Sequence, residues 1–160
     1  MSDEKTRVVL REVVDSDLPV FFQHLRDPQA AALAAIDPND QHAFQKRWAN
    51  LRRDEQAVPR TIEDADTGEV LGYIIGFHDG SDFRVEYWVD RAHWGQGVAT
   101  GALAAFLEEV DHRPVYARTP RHNEPAGVVL KRNGFNLVGE NTGYSDESRQ
   151  VMDELIFRLG

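Results

Sequence analysis

The sequence predicts a mixed α/β fold, and three observations carry that expectation. Runs that alternate apolar and polar residues, as half-buried strands do, occur near both ends of the chain and through its middle. Between them lie segments whose apolar residues recur at helical spacing, the signature of a helix with one buried face. Third, Trp94-Gly95-Gln96-Gly97-Val98-Ala99-Thr100 sets glycines between a strand-like run and an alanine- and leucine-rich segment, so a loop sits where a strand hands over to a helix. At 160 residues the chain suits a single domain, residues 1–160, whose core stands without metal or disulfide staples.

Arg7 to Val13 alternates well enough for a first strand. Asp15 or Ser16 then caps a helix carrying Leu18, Phe21, Phe22 and Leu25, and Asp27-Pro28 ends it, because proline cannot continue a helix. After a turn at Asp37-Pro38-Asn39, a second helix starts at Asp40 with Phe44, Trp48 and Leu51 on one face, a stripe that reads as core. Val58 to Phe77 reads as a hairpin: Thr61-Ile62-Glu63, an acidic turn from Asp64 to Gly68, then Glu69 to Phe77. That turn slightly resembles a calcium loop but fails as one, since Gly68 and Glu69 stand where the loop wants a ligand and a glycine.

Asp79-Gly80-Ser81 turns the chain into a strand from Phe83 to Asp90; the glycine loop, a helix to Val110 and a short strand from Val115 to Arg118 follow. Asn123 caps another amphipathic helix, with Val128, Val129 and Leu130 inside and Asn133-Gly134 as its stop. Phe135 to Gly139 and Val151 to Leu159 read as the last strands, joined by a polar loop from Glu140 to Gln150. The tally is roughly six to seven strands and about four helices, a mixed sheet flanked by helices.

Composition excludes several classes of function. A formal net charge of -9 argues against nucleic acid, whose phosphates need clustered Lys and Arg, and weakly favours a cationic acceptor. With no cysteine there is no disulfide, thiolate metal site or cysteine nucleophile, and the six histidines do not pair at ligand spacing, so no metal is expected. No apolar run approaches the roughly 18 residues of a membrane span, and the polar start Met1-Ser2-Asp3-Glu4-Lys5 lacks a signal-peptide layout, which points to a cytoplasmic protein.

The glycine loop is the chemically informative segment. Amides at a helix start have no partner within the helix, and Gly95 and Gly97 let a bulky anion reach them without a side chain intervening, which makes a pyrophosphate seat. Against the acidic whole, a polyphosphate would need local cations, for which Arg91, Arg121, Lys131 and Arg132 are available. No Gly-Lys-Ser or Gly-Lys-Thr follows, so it is not a P-loop. A Rossmann loop is disfavoured because Thr100 replaces the third glycine and several elements precede a motif that usually opens that fold.

Trp94-Gly95-Gln96-Gly97-Val98-Ala99 resembles motif A of the GNAT N-acetyltransferase superfamily, with Trp94 in place of the usual leading Gln or Arg. With Tyr87-Trp88-Val89-Asp90 before it and Thr100 after, the string resembles the RimJ/RimL-like branch. Asn123-Glu124-Pro125-Ala126, then Leu130-Lys131-Arg132-Asn133-Gly134-Phe135, resembles motif B. The resemblance implies a GNAT-like sheet in which the strand before the glycine loop splays from its neighbour, so that backbone groups of Trp88, Val89 and Asp90 pair with the pantetheine arm of acetyl-CoA. It implies further that residues 88 to 100 hold the coenzyme, the amides from Gly95 through Gln96, Gly97, Val98 and Ala99 to Thr100 taking the pyrophosphate. Asn123 would face the same ligand and Arg132 its adenosine end.

Acetyl transfer to an amine needs a base, an oxyanion donor and a thiolate leaving group. The resemblance implies Glu86 as base, directly or through water, and an amide at or beside Val89 as donor. Two acids familiar in such enzymes are absent: the positions of a tyrosine and a serine hold Leu130 and Ala126. Tyr144, Ser145 or Ser148 in the late loop could substitute, or the thiolate could leave unaided. The expected acceptor is a primary amine, a protein N-terminus or a small molecule, between the early helices and the late loop. The missing acids keep a non-catalytic acyl-CoA sensor open as the alternative, and dimers are common among such enzymes.

Overall fold

A computed structural model describes residues 6–34, 40–145 and 150–160, with the side chains of 33–34, 143–145 and 150–152 left aside. The strands are β1 (Val8–Glu12), β2 (Val58–Asp64), β3 (Val70–Asp79), β4 (Asp82–Val89), β5 (Val115–Pro120), β6 (Asn136–Ser145) and β7 (Gln150–Leu159). The helices are α1 (Asp17–Leu25), α2 (Pro28–Ala34), α3 (Gln41–Arg53), α4 (Val98–Glu109) and α5 (Glu124–Arg132). All seven strands join one sheet in the spatial order β1-β2-β3-β4-β5-β7-β6. Among the pairings only β4 with β5 is parallel.

Two differences from the sequence reading have clear causes. Asp27-Pro28 ends α1 but also starts α2: the Asp27 carboxylate accepts from the Gln29 and Ala30 amides at 3.0 and 3.2 Å, and proline fits a first helical position. The expected polar loop from Glu140 to Gln150 is largely strand, since Glu140 to Ser145 pair with Leu155 to Gln150 as an extension of β6 and β7. Polar residues on both faces of a solvated hairpin give no alternation to read. The turn expected at Asp37-Pro38-Asn39 lies outside the described residues. The acidic turn closes on itself, Asp64 accepting from the Asp66 and Thr67 amides at 2.8 and 3.2 Å.

Helices cover both faces of the sheet. Leu103 and Phe106 of α4 and Leu130 of α5 pack with Ile74, Val85, Val89, Val115 and Phe157 on one side. Phe21 of α1 and Trp48 and Leu51 of α3 pack with Tyr73 and Ile75 on the other. The stripe expected on α3 is therefore core, whereas Val128 of α5 is 46% exposed rather than inside. Each large apolar side chain fully removed from water contributes about 1.5–3 kcal/mol. Asp17, only 2% exposed, ties α1 to the sheet: it accepts from both Arg11 terminal nitrogens at 2.8 and 2.9 Å, from Thr61 Oγ1 at 2.8 Å and from the Val14 amide at 2.9 Å. No helix among the described residues is long and apolar enough to cross a membrane.

Candidate active site

The parallel pair β4–β5 is joined only at Phe83 with Val115 and Arg84 with Tyr116. Both strands run on, β4 against β3 as far as Val89 and β5 against β7 as far as Pro120, so from Val85 onward a wedge opens between them. Alternation decides which groups face it. The Asp90 amide donates to the Leu71 carbonyl at 2.8 Å, so Trp88 pairs inward with Tyr73, and Val85, Tyr87 and Val89 turn their amides to the open edge. Of the three backbone positions expected there, Val89 alone lies on that edge, because the sheet takes the Trp88 groups and the Asp90 amide while the His93 amide donates to the Asp90 carbonyl at 2.9 Å.

The Val89 carbonyl already has a partner: the Trp94 indole, 42% exposed, donates to it at 2.9 Å. Trp94 thus folds the loop back onto the end of β4. Asp90 starts a single 3-10 turn, Arg91–His93, its carboxylate accepting from the Ala92 amide at 3.4 Å. Gly95 and Gly97 both take left-handed backbone, φ +79° and +76°, which glycine adopts without strain.

A side chain at Gly95 would meet no atom within 4 Å. Gly97 is the N-cap of α4 and brings no capping side chain, unlike Asp40 before α3 and Asn123 before α5. The Val98, Ala99 and Thr100 amides thus head a helix whose own cap leaves them to other partners, with the positive end of its dipole behind them. The Val98 side chain is core.

Gln96 works inside the protein: its Oε1 accepts from Thr6 Oγ1 at 3.0 Å and its carbonyl from the Thr6 amide at 3.0 Å. Asn123 caps α5 by accepting from the Ala126 amide at 3.3 Å. Arg132 is exposed at the end of α5, next to Asn133, whose Nδ2 donates to the Thr100 carbonyl at 3.3 Å, so it stands beside the first turn of α4.

Glu86 and Trp88 point to the opposite face, toward α1 and α3. Glu86 Oε2 lies 2.6 Å from Arg47 Nη2, with both side chains partly open to solvent. The Trp88 indole N–H is buried and has no hydrogen-bond partner among the described residues. Tyr73, cross-strand from Trp88, has its phenol pushed well above the usual value by burial and by the nearby Glu86 charge, so it stays neutral. Burial likewise raises the Tyr87 phenol, whose hydroxyl donates to the Ala126 carbonyl at 3.3 Å.

Beside the loop, His93 Nε2 lies 2.9 Å from Glu69 Oε2 while its Nδ1 lies 3.4 Å from Gln96 Oε1. Ligand-type atoms of Glu69, Asp90 and His93 fall within 4.8 Å of one another. His24 Nε2 is 3.7 Å from Asp90 Oδ2. Burial disfavours the His93 imidazolium, but the Glu69 and Gln96 hydrogen bonds and the Glu69 and Asp90 charges together outweigh it and raise its pKa. Burial lowers that of His24, Asp90 opposing and His93 assisting.

The sequence profile of the acetyltransferase (GNAT) domain matches residues 7–136, most of the chain and every element of the wedge and loop. The chain belongs to the GNAT acetyltransferase family. No curated protein matches it in sequence. Among solved structures it is similar to a spermidine N-acetyltransferase from Vibrio cholerae in complex with CoA and spermine, with TM-score 0.80 and 14% identity over 96% of this chain and 95% of that one. It is similar to Mycobacterium smegmatis RimJ in complex with CoA-disulfide, with TM-score 0.77 and 24% identity over 95% and 81%. A ribosomal-protein-S5-alanine acetyltransferase from Vibrio fischeri gives TM-score 0.76 and 18% identity over 98% and 94%. At these identities the likeness shows the fold. GNAT enzymes use acetyl-CoA as acyl donor and no metal.

Of the acids weighed from sequence, Tyr144 and Ser145 belong to β6 rather than to a loop, and Ser148 lies outside the described residues. Leu130 is core. Sequence reasoning missed Arg47 and Tyr87. Arg47 had a legible signal, standing three residues after Phe44 and four before Leu51 and so beside the buried stripe of α3.

Proposed function

We propose that this GNAT protein transfers an acetyl group from acetyl-CoA to a primary amine by direct attack in a ternary complex, as an enzyme of the RimJ/RimL-like branch. One observation carries the reading: β4 parts from β5 beyond Arg84, next to a helix start that its own N-cap residue leaves without a side-chain cap. The pantetheine arm adds to the open edge of β4 as an extra strand would, and the pyrophosphate takes the amides from Gly95 to Thr100. Arg132, beside the first turn of α4, supplies a cation toward the adenosine end despite the net charge of -9.

The acceptor approaches from the face that carries Glu86 and Trp88. Glu86 takes a proton from the ammonium, and the freed nitrogen lone pair attacks the thioester carbonyl. The Val89 amide, held at the wedge by the Trp94 indole on its own carbonyl, donates to the oxyanion. The attack forms the C–N bond; the nitrogen then sheds its second proton to solvent, and collapse restores the carbonyl, breaks the C–S bond and releases the thiolate, which takes a proton from solvent.

Calorimetry with acetyl-CoA, followed by thiol release across an amine panel, tests the proposal. Micromolar binding with turnover of at least one amine is expected. Heat without thiol release from any amine would leave an acyl-CoA sensor instead, and no heat at all would remove the coenzyme seat.

A further inference from the structure

Resting on the transferase reading, we propose that the hydroxyls of Thr119 and Tyr87 receive the departing sulfur of acetyl-CoA, donating hydrogen bonds to the thiolate as the C–S bond breaks. The wedge brings the two residues together. Its bonded pairs are Phe83 with Val115 and Arg84 with Tyr116, and the same register carried four residues on from the first sets Tyr87 opposite Thr119. Alternation puts both side chains on the face covered by α4 and α5. Val85 and Val89 flank Tyr87 in the core of that face, Val115 and Ala117 precede Thr119 there, and Leu155, cross-strand from Thr119 on β7, packs against it.

Thr119 carries the inference. It is 6% exposed, and its Oγ1 is buried with no hydrogen-bond partner among the described residues. A buried hydroxyl left unmatched is costly, so this one calls for a ligand atom. The amides of a pantetheine arm find partners on the β4 backbone, whereas its sulfur finds none there and needs a donor once it becomes an anion. The Tyr87 hydroxyl, from the opposite strand, is loosely held: it lies 3.3 Å from the Ala126 carbonyl, longer than an ordinary O–H···O bond, and can turn to a stronger acceptor. Burial keeps its phenol protonated and therefore a donor.

The direction of attack fits this placement. The acceptor comes from the face of Glu86 and Trp88, and a carbonyl carbon that takes a nucleophile on one face moves its other substituents toward the opposite one. With the carbonyl oxygen held at the Val89 amide, the sulfur swings toward the face where the two hydroxyls stand. The C–S electron pair passes onto sulfur, both O–H groups donate to it and keep their protons, and the proton that finally neutralises the thiolate comes from solvent. Because hydrogen bonds to an anion are the stronger ones, the hydroxyls favour bond breaking over the bound thioester.

Two measurements test the proposal. The first titrates the thiol of bound CoA through the ultraviolet absorbance of its thiolate. Donors to the thiolate lower its pKa, so Thr119→Val and Tyr87→Phe should each raise the bound thiol by about one pH unit, while Thr119→Ser stays close to the parent. The second follows acetyl transfer in a single turnover with the best amine of the panel. Thr119→Val and Tyr87→Phe should each slow it about tenfold while the dissociation constant for acetyl-CoA changes less than about twofold. Valine keeps the branched shape and removes a hydroxyl unmatched in the free protein, so Thr119→Val should melt no lower than the parent.

A bound-thiol pKa or a single-turnover rate unchanged in either variant would overturn the proposal and leave the transferase reading intact. So would a Thr119→Val protein that melts well below the parent, because the hydroxyl would then already be engaged within the fold. Failure to bind CoA, or thiol release with no amine, would bring down the transferase reading and this inference with it.

Discussion

Gly72→Ala is the substitution that most directly tests how the sheet positions the active site. Gly72 of β3 faces Val89 of β4, and a methyl group there would come within 1.9 Å of the Trp88 carbonyl oxygen and 2.9 Å of its carbon. These are backbone atoms, so no rotamer change relieves the contact. Ordinary contact begins near 3.4 Å, so the strands must part locally by about 1.5 Å. Overpacking of this kind costs about 1–3 kcal/mol. The parting also weakens the 2.8 Å bond from the Asp90 amide to Leu71 and the neighbouring Tyr73–Trp88 pairing, about 1 kcal/mol each.

A total of about 3–5 kcal/mol lowers the melting temperature by roughly 6–20 °C in a domain of this size. Because Val89 and Trp88 move with the strand, acetyl-CoA affinity should fall as well. Thermal melting by circular dichroism and calorimetry with CoA read the two effects. Gly101→Ala is the control: its added methyl stands 3.5 Å from Val8 Cγ2, an ordinary contact, and alanine within α4 should raise stability by about 0.5–1 kcal/mol. A Gly72→Ala protein that melts within about 2 °C of the parent would refute the close approach of β3 to the Trp88 backbone.

Glu86→Gln should lower kcat about 100-fold or more near neutral pH while the dissociation constant for acetyl-CoA changes less than about twofold; an undiminished kcat would remove Glu86 as base. Asp17→Asn should cost about 2–4 kcal/mol in urea unfolding, because it leaves the Arg11 guanidinium short of a carboxylate in a buried network. Although burial opposes its charge, the Arg11, Val14 and Thr61 hydrogen bonds hold the Asp17 carboxyl below the usual carboxylate range. Its stabilisation is therefore complete above about pH 4 and lost as pH falls through its folded pKa, and the asparagine variant should lose part of that acid limb.

Histidine ring NMR should place His93 above and His24 below the usual value of about 6.5. The His93 contribution to stability is then full below about pH 6.5 and fades as pH rises through its folded pKa, whereas charging His24 costs stability as pH falls below about 6.5. The reverse order of titration would contradict the burial of His24 and the pairing of His93 with Glu69.

Local chemistry made much of the molecule legible in one dimension. Asp40 and Asn123 cap their helices because a short polar side chain beside a helical run has few better uses. Gly95 and Gly97 marked the loop between strand and helix, which the structure builds with left-handed backbone, and the α3 stripe of Phe44, Trp48 and Leu51 announced its buried face through its spacing alone. Glu86 and Trp88 lie on one side of β4 and Val85 and Tyr87 on the other, as the two-residue period of a strand requires.

Tertiary structure decided everything that depends on which strand lies beside which. Strand order and the wedge beyond Arg84 arise from pairings between residues about thirty positions apart, as Phe83 with Val115, and no local pattern encodes them. For the same reason the sequence could not tell that the sheet would take the Asp90 amide and leave Val89 at the edge, nor that Trp94 would close on the Val89 carbonyl. The ion pair of Glu86 with Arg47, a strand meeting a helix, likewise exists only once α3 is packed across β4. Spacing along the chain fixes what each residue is locally able to do, and packing alone selects the partner with which it does it.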